Sequence, residues 1–442
     1  MKRIFYILMI LLWVACENDD SFSSSSGLEL TFSADTLKMD TLFSKTPSST
    51  YAFWVHNRND QGVRLTTVRL KRGNQTGYRV NVDGVYLDNS NGSQTHNVEI
   101  RRQDSILVFV ELTAPENKQM KPTLIEDDLL FDLESGREQK VNLRAWAWDA
   151  RKLYDPVFEK DSLIDTEVPL VIYGTMVVEE GVTLTLQNTT LFFHEGAGME
   201  VNGTLKTENC LMRGDRLDRL FDYLPYDRVS GLWEGIRFTE TSTDNSLTDT
   251  EILNAIEGIV CDSAELDLTT YRLEMTRCAV HNCSGTGMAA VNANIALDHC
   301  LLSNAGGDCL SITGGKATID HCTLAQFYPF NGGRGAAIRF TNLWGEQTLP
   351  IEITCKGSIL TGYADDVVDG LKADGETAFD YHFIDCLIRM PKKESDEFTD
   401  IIWEKPDDEA GGKKHFVTID EDKFIYDFHL VETSPAQGLG CF

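Results

Sequence analysis

Cys278, Cys300 and Cys322 stand 22 residues apart, each at the same place in the same short pattern. Two apolar positions alternate, two polar residues follow, then comes the Cys, then an apolar residue two positions on. The pattern reads Leu273, Met275, Cys278, Val280, then Ile295, Leu297, Cys300, Leu302, then Ala317, Ile319, Cys322, Leu324. Looser copies flank these at Leu205, Thr207, Cys210, Met212 and at Tyr381, Phe383, Cys386, Ile388. A unit this short cannot bury its own apolar face, so it must stack on its neighbours.

The pattern also dictates the path of one coil. Alternation points the first apolar pair inward on a strand. The polar pair, such as Asp298-His299, turns a corner and resets the parity, so the Cys and the next apolar residue face inward on a second strand. Asn282, Asn304 and Gln326, each four residues after a Cys, mark the next corner. A third inward pair follows, Met288 and Ala290 or Leu310 and Ile312. Three short strands per coil of ~22 residues is the signature of a right-handed parallel β-helix. It is assigned to residues 153–390, with regular coils opening near Pro169. Equivalent residues then stack ~4.8 Å apart. Cys210, Cys278, Cys300, Cys322 and Cys386 form a structural ladder of small apolar side chains, with Asn282 and Asn304 stacked at the neighbouring corner. Adjacent rungs are close enough for disulfides, yet an unbroken series of Cys does not demand pairing, and free thiols are the expectation. Of the 11 Cys none lies between Cys16 and Cys210, which excludes a chain-wide disulfide scaffold. The Gly181-Val182-Thr183-Leu184-Thr185-Leu186 run, followed by Gly203-Thr204-Leu205, resembles the opening coils of bacterial β-helix proteins of the pectate-lyase-like superfold. Residues 391–442, charged and irregular with Lys392-Lys393 and Gly411-Gly412, are expected to cap the open end.

Residues 28–152 follow another rule. Short alternating runs such as Tyr51-Ala52-Phe53-Trp54-Val55, Tyr78-Arg79-Val80-Asn81-Val82 and Ile106-Leu107-Val108-Phe109-Val110 are separated by breakers such as Asn59-Asp60 and Asp83-Gly84. Short strands at near-regular spacing predict a β-sandwich. The Val55-His56-Asn57 strand and the later Val108 to Pro115 segment resemble bacterial Ig-like domains of the ASH/hydin group. That resemblance implies a spacer or packing platform. The fold class expected for the whole chain is therefore all-β, an N-terminal Ig-like β-sandwich followed by a right-handed parallel β-helix.

The first sixteen residues read as an address. Lys2 and Arg3 precede an uncharged apolar run from Ile4 to Ala15, too short to span a bilayer comfortably. It ends in Trp13-Val14-Ala15-Cys16, which resembles the lipobox of bacterial lipoproteins, with Trp13 a departure from the usual first residue. The resemblance implies a lipid on Cys16 and attachment to the outer membrane. Glu17, Asp19 and Asp20 resemble the surface-export signal of Bacteroidetes lipoproteins, and the rest of 17–27 is a Ser-rich tether. Asp-Ser/Thr-apolar stretches such as Asp35-Thr36-Leu37 and Asp104-Ser105-Ile106 resemble the O-glycosylation acceptors of the same group.

The net charge of −29 argues against nucleic-acid partners, which need a basic footprint. With 69 acidic residues, no single carboxylate pair marks an active site. β-helices that cleave acidic polysaccharides need acidic Ca²⁺ ligands and a base for the α-proton. Asp365, Asp366 and Asp369, with Arg339 or else Arg334 or Lys316, are the candidates for such a lyase or hydrolase. The Gly-His-Gly and Arg-Ile-Lys motifs that accompany Asp-Asp in the polygalacturonase family are absent. Phe221, Tyr223 and Tyr226 in an insertion from Arg213 to Ser230, with Trp233 just after it, could stack on sugar rings. His299 and His321 stack beside Asp298 and Asp320 without further ligands, so neither a resident metal nor any other cofactor is expected, Ca²⁺ excepted if the chain is a lyase. The favoured reading is a non-catalytic surface lipoprotein that binds glycans or other macromolecules. The alternative is a polysaccharide lyase or glycoside hydrolase.

Overall fold

The computed structural model describes residues 21–219, 225–373, 375–404 and 411–442. The proposed leader, Cys16 and the acidic residues 17–20 lie outside them. The chain is all-β and divides into two compact units after Asp149.

The first unit is a sandwich of two five-stranded sheets. One runs in the spatial order 31–32, 51–56, 105–112, 78–82, 85–86; the other 36–43, 138–148, 123–133, 63–70, 94–100. Alternation sets the core: Tyr51, Phe53 and Val55 are buried, while Ala52 and Trp54 between them face out. Asn57 is wholly buried just beyond that strand. Its Nδ2 donates to the carbonyls of Gln61, Ile100 and Arg101 at 2.9, 3.0 and 2.9 Å, and its Oδ1 accepts from the Asn59 amide. One side chain thus satisfies the turning backbone of two connections, the demand every buried carbonyl makes.

The second unit is a right-handed parallel β-helix whose 26 strands wind into three faces. Face A includes Leu170–Tyr173, Ala279–Cys283, Leu301–Ala305 and Ile359–Gly362; face B includes Gly198–Val201, Ile236–Phe238, Ile259–Cys261 and Ile338–Thr341; face C includes Thr183–Gln187, Leu273–Thr276 and Ile351–Lys356. Coils begin earlier than Pro169, because Arg151–Tyr154 already pairs in parallel with Leu170–Tyr173. They also run past residue 390, because Ile402–Glu404 pairs in parallel with Leu387–Arg389.

The cysteine ladder is real and longer than the cysteines alone. Strand register places Thr189, Cys210, Thr250, Cys278, Cys300, Cys322, Ser358 and Cys386 in one row at the corner between faces C and A. The residue before each rung is left-handed, including Asn209 at φ 53°, Arg277 at 51°, His299 at 50° and His321 at 45°. Such a kink turns the carbonyl two residues before the rung toward the rung's own side chain. Cys322 Sγ lies 3.2 Å from Asp320 O, Ser358 Oγ 2.8 Å from Lys356 O, and Thr250 Oγ1 2.9 Å from Thr248 O. The rung is therefore a small hydrogen-bond donor, and apolar filling is the lesser part of its role. All ten Cys of the described residues are free thiols. Burial raises the thiols of Cys261 and Cys283 to about 12.

Residues 391–442 divide instead of forming a single cap: Phe398–Thr399 and Ile402–Glu404 continue the coils at the open end, whereas the residues from Phe416 on pack elsewhere. Phe416–Asp420 and Ile425–Leu430 form an antiparallel hairpin. Phe416 and Phe428 of this hairpin, with Ala436 and Leu439 beyond it, join a second core with Leu301, Ala325, Phe327, Ile359 and Leu387 on the outside of face A. Face A is covered on both sides there, which is why every residue of Leu301–Ala305 and Ile359–Gly362 is buried. The lumen of the last coils is instead filled by aromatic rings, Phe383 stacking on Phe398 at 5.3 Å.

Candidate functional site

The three acids of the cluster do not converge on one point. Asp365 Oδ1 lies 3.3 Å from Arg389 Nη2, and Arg389 in turn meets Glu404 Oε1 at 3.2 Å. Asp366 turns back to accept from the Val368 amide at 3.2 Å. Asp369 pairs with Arg339, whose Nε reaches Asp308 Oδ2 at 2.8 Å. Three neighbouring acids thus serve three different purposes. Hydrogen bonding to Asp308 raises the Arg339 guanidinium above its ordinary range, so it is a fixed cation and no base. The other candidate bases lie elsewhere. Lys316 pairs with Glu352 on face C at 2.8 Å, and Arg334 covers the Tyr363 ring at 4.4 Å. Among the described residues no three Asp, Glu, His or Cys side chains gather to hold a metal ion. His299 and His321 stack at 5.1 Å, each bonded to its own Asp at 2.8 Å, and serve as corner residues. The next corner is Gly357 at φ 59°, where a Cβ would lie 2.8 Å from His321 Nε2.

The described aromatic residues at the insertion, Tyr226 and Trp233, do not form an open platform. Phe221 and Tyr223 lie outside the described residues. Tyr226 is half-buried under Arg216, whose guanidinium sits 3.9 Å from the ring centroid. Trp233 is 0% exposed, stacks on Phe193 at 4.2 Å and donates its indole N–H to Leu253 O at 2.9 Å. It is a core residue and cannot touch a glycan. The insertion docks on the asparagine corner. Asn254 Nδ2 donates to Asp227 O at 3.2 Å, and Asn282 Nδ2 to Arg228 O at 2.7 Å and to Asn254 Oδ1 at 2.8 Å. Asn304, one rung further, accepts from the Phe327 amide instead. The asparagine row is thus a set of brackets for a loop more than a self-stacking ladder.

Face B carries the best site geometry. Its middle position, flanked by inward apolar residues in each strand, faces out. Register aligns Glu200, Arg237, Val260, Ala289, Ser311, Arg339 and Asp369 in one row. Arg237 and Arg339 stand four strands apart, roughly 19 Å at ~4.8 Å per strand. Between them lie only Val260, Ala289 and Ser311, so a ligand can approach the sheet closely. Each arginine is held by carboxylate, Arg237 Nε by Asp262 Oδ2 at 2.7 Å and Arg339 by Asp308 and Asp369. At the Arg237 end the trough deepens to a cavity of about 400 Å³ lined by Glu200, Glu234, Glu257 and Asp262. Glu257 is not free to act, because its Oε2 accepts from the Thr286 amide at 2.7 Å. The sequence holds this row as one polar or small residue between two apolar ones, in Met199-Glu200-Val201, Ile236-Arg237-Phe238, Leu310-Ser311-Ile312 and Ile338-Arg339-Phe340. Only the coil register lines these triplets up.

No family model matches the chain, and no curated protein matches its sequence. Among solved structures, it is similar to the catalytic unit of a family 87 α-1,3-glucanase from Streptomyces thermodiastaticus, with 10% identity and a TM-score of 0.28 over 80% of this chain and 90% of that one. The ASH/PapD-like domain of human CEP192 aligns at 12% identity and a TM-score of 0.19 over 29% of this chain and 90% of that domain. A family 123 glycoside hydrolase from Clostridium perfringens aligns at 6% identity and a TM-score of 0.21 over 29% of this chain, spanning 30% of that enzyme's chain. Scores this low leave activity and substrate to the chain's own geometry.

Proposed function

We propose that this chain is a non-catalytic glycan-binding protein held on the outer surface of a Bacteroidetes-type cell by a lipid on Cys16. The observation that carries the binding role is the face B row, a trough of small side chains bounded by two arginine–carboxylate clusters. A flat, regularly spaced sheet face suits an extended polymer, and guanidinium and carboxylate groups at its ends can donate to and accept from hydroxyls. The acids Asp365, Asp366 and Asp369 are engaged separately, which favours binding over cleavage. A chain of net charge −29 repels a polyanion at long range, so a neutral glycan suits it better than an acidic one. The Lys2 to Cys16 segment supports the anchor, and the sandwich serves as a spacer between membrane and β-helix.

A polysaccharide panel tests this reading, scored for binding and for newly released reducing or unsaturated ends. Binding of a neutral glycan that falls at least tenfold in Ala289→Arg and in Arg237→Ala, with unchanged melting, is the expected result. New chain ends produced by the wild type would overturn the non-catalytic reading. Retained binding in Ala289→Arg would remove the trough. Cys16→Ser is expected to move the protein out of the membrane fraction, and unchanged lipid labelling would refute the anchor.

A further inference from the structure

The outer face of one sandwich sheet carries a row of side chains that a spacer does not need. Register sets Ala52, Phe109, Asn81 and Tyr86 opposite one another on the neighbouring strands 51–56, 105–112, 78–82 and 85–86. Directly opposed residues share a face, so the row alternates between a short side chain and a ring. Phe109 is 42% exposed and Tyr86 47%. Trp54, two residues after Ala52 and so on the same face, is 46% exposed. Phe109 and Tyr86 stand two strands apart, roughly 10 Å at the strand spacing. Beside them lies a polar row of Thr50, Glu111 and Arg79, and the two rows enclose a cavity of about 370 Å³. Both Glu111 oxygens are engaged, Oε1 by the Thr50 hydroxyl at 2.6 Å and Oε2 by Arg79 Nη2 at 2.9 Å. Among the described residues that line the cavity, Arg79 and Glu111 are the charged ones, and they offset each other. Asn81 Oδ1 accepts from the Gly84 amide at 2.8 Å, which leaves the Nδ2 of this part-exposed residue as a donor between the two rings.

We propose that this cavity binds an extended, neutral β-1,4-linked glycan laid across the strands, with alternate sugar units stacked on Phe109 and Tyr86. The sandwich is then a binding module as well as a spacer. Three features select the occupant. A pyranose has an apolar C–H face and a rim of hydroxyls, which suits exposed rings that have an amide between them and an ion pair beside them. In a β-1,4-linked chain each unit is turned over relative to the one before. The same face therefore recurs at every second unit, as the rings recur at every second strand. The offset Arg79–Glu111 pair complements a neutral polymer, whereas a polyanion meets the long-range repulsion of a chain of net charge −29. A protein partner's apolar core would strip water from the Asn81 amide and the ion pair without replacing its hydrogen bonds, and sugar hydroxyls replace them. The cavity shares no residue with the face B trough, and the proposal does not rest on that trough.

The test is titration of the ¹⁵N-labelled full chain with cellotetraose, mannotetraose and xylotetraose, with maltotetraose as the α-linked control. At least one β-linked probe is expected to shift the Asn81 side-chain amide saturably, and maltotetraose to bind at least tenfold more weakly. Tyr86→Ala and Phe109→Ala should each weaken that binding at least tenfold at unchanged melting temperature. Asn81→Asp, which keeps the bond to Gly84 and removes the donor, should do the same. Ala289→Arg, which blocks the trough, should leave the Asn81 shift and its affinity as in the wild type. No saturable shift with any of the three β-linked probes would overturn the proposal, as would equal affinity for maltotetraose. Unchanged affinity in both Tyr86→Ala and Phe109→Ala, or loss of the shift in Ala289→Arg, would overturn it too. Self-association of the wild type that Tyr86→Ala and Phe109→Ala abolish, without glycan binding, would assign the face to a second copy of the chain and overturn it as well.

Discussion

Cys322 is the most informative rung of the ladder. It is wholly buried; its Sγ donates to Asp320 O at 3.2 Å and accepts from the Cys300 amide at 3.3 Å. The next rung does the same work with a hydroxyl: Ser358 Oγ donates to Lys356 O at 2.8 Å and accepts from the Cys322 amide at 3.0 Å. Cys322→Ser keeps both roles. It trades a weak thiol bond for a stronger hydroxyl bond against a larger desolvation cost, and the net change should stay within ~1 kcal/mol. Cys322→Ala removes both roles. An amide left without its acceptor costs about 1–3 kcal/mol, and the small void adds about 1 kcal/mol, so a loss of about 2–4 kcal/mol is expected. Cys322→Val fills the space but restores neither bond, and it adds β-branched bulk at a tight corner, so it should fall with Ala. Urea or guanidinium denaturation gives the differences, read as midpoint shifts at constant slope. The expected order is Ser above Ala and Val. If Val or Ala is as stable as Ser, the rung is an apolar filler and the donor argument fails.

Other expectations follow from buried charges and rings. Burial raises the Glu404 carboxyl, but the Thr361 hydroxyl donating to its Oε2 at 2.8 Å, the nearby His415 ring and the Arg389 guanidinium together hold it below its usual range. This stability is present above the unfolded carboxyl pKa and is lost as pH falls through the lower folded value. Acid should therefore make residues 411–442 susceptible to limited proteolysis; Glu404→Gln should destabilise by about 3–5 kcal/mol and flatten that acid dependence. Burial under Tyr426 and Phe428 lowers His281 to about 4. Its unfolded value is higher, so its contribution makes stability fall as pH drops from neutrality toward 4, and NMR should find the ring neutral at pH 6. Trp233→Ala should cost about 3–5 kcal/mol in the same denaturation assay, whereas a binding aromatic would cost affinity and no stability. Iodoacetamide under native conditions should label Cys441, the one half-buried thiol among the described residues, well ahead of the others. Fast native labelling of Cys300 would contradict the closed corner.

The repeat made the helix legible because its information is local. Inward alternation, a polar corner and a Cys lie within one short segment, and Asp298-His299-Cys300 carries all three. Counting only Cys understated the ladder, since Thr250 and Ser358 occupy the same row at less regular spacing. The common property is a small donor after a left-handed residue, and a search for Cys, Ser or Thr after Asn, Asp, His or Gly would have found more of it. Trp233 misled for a related reason. It adjoins a polar, aromatic insertion, but its isolated β-bridge to Ala255 places it in the inward row, where a large ring fills the lumen.

The proposed binding surface was harder to read because it is made between coils. Ala289 and Ser311 are unremarkable in sequence and become a trough only when register sets Arg237 and Arg339 at its ends. The covering of face A left a clearer trace. Where a strand is wetted on one side its residues alternate, as in Leu273-Glu274-Met275. Leu301-Leu302, Ile359-Leu360 and Leu387-Ile388 break that alternation at one position, in coils on either side of Thr323-Leu324. Consecutive apolar residues mean burial on both faces, so something had to cover face A. The only described segment outside the coils and the sandwich with its own apolar pattern is the C-terminal one, with Phe416, Ile425 and Phe428. Covering one face also decides which faces remain for a ligand. With the later coils of face A covered by the hairpin and face C bearing charged residues such as Lys316 and Glu352, the small-residue row of face B is the approachable surface of those coils.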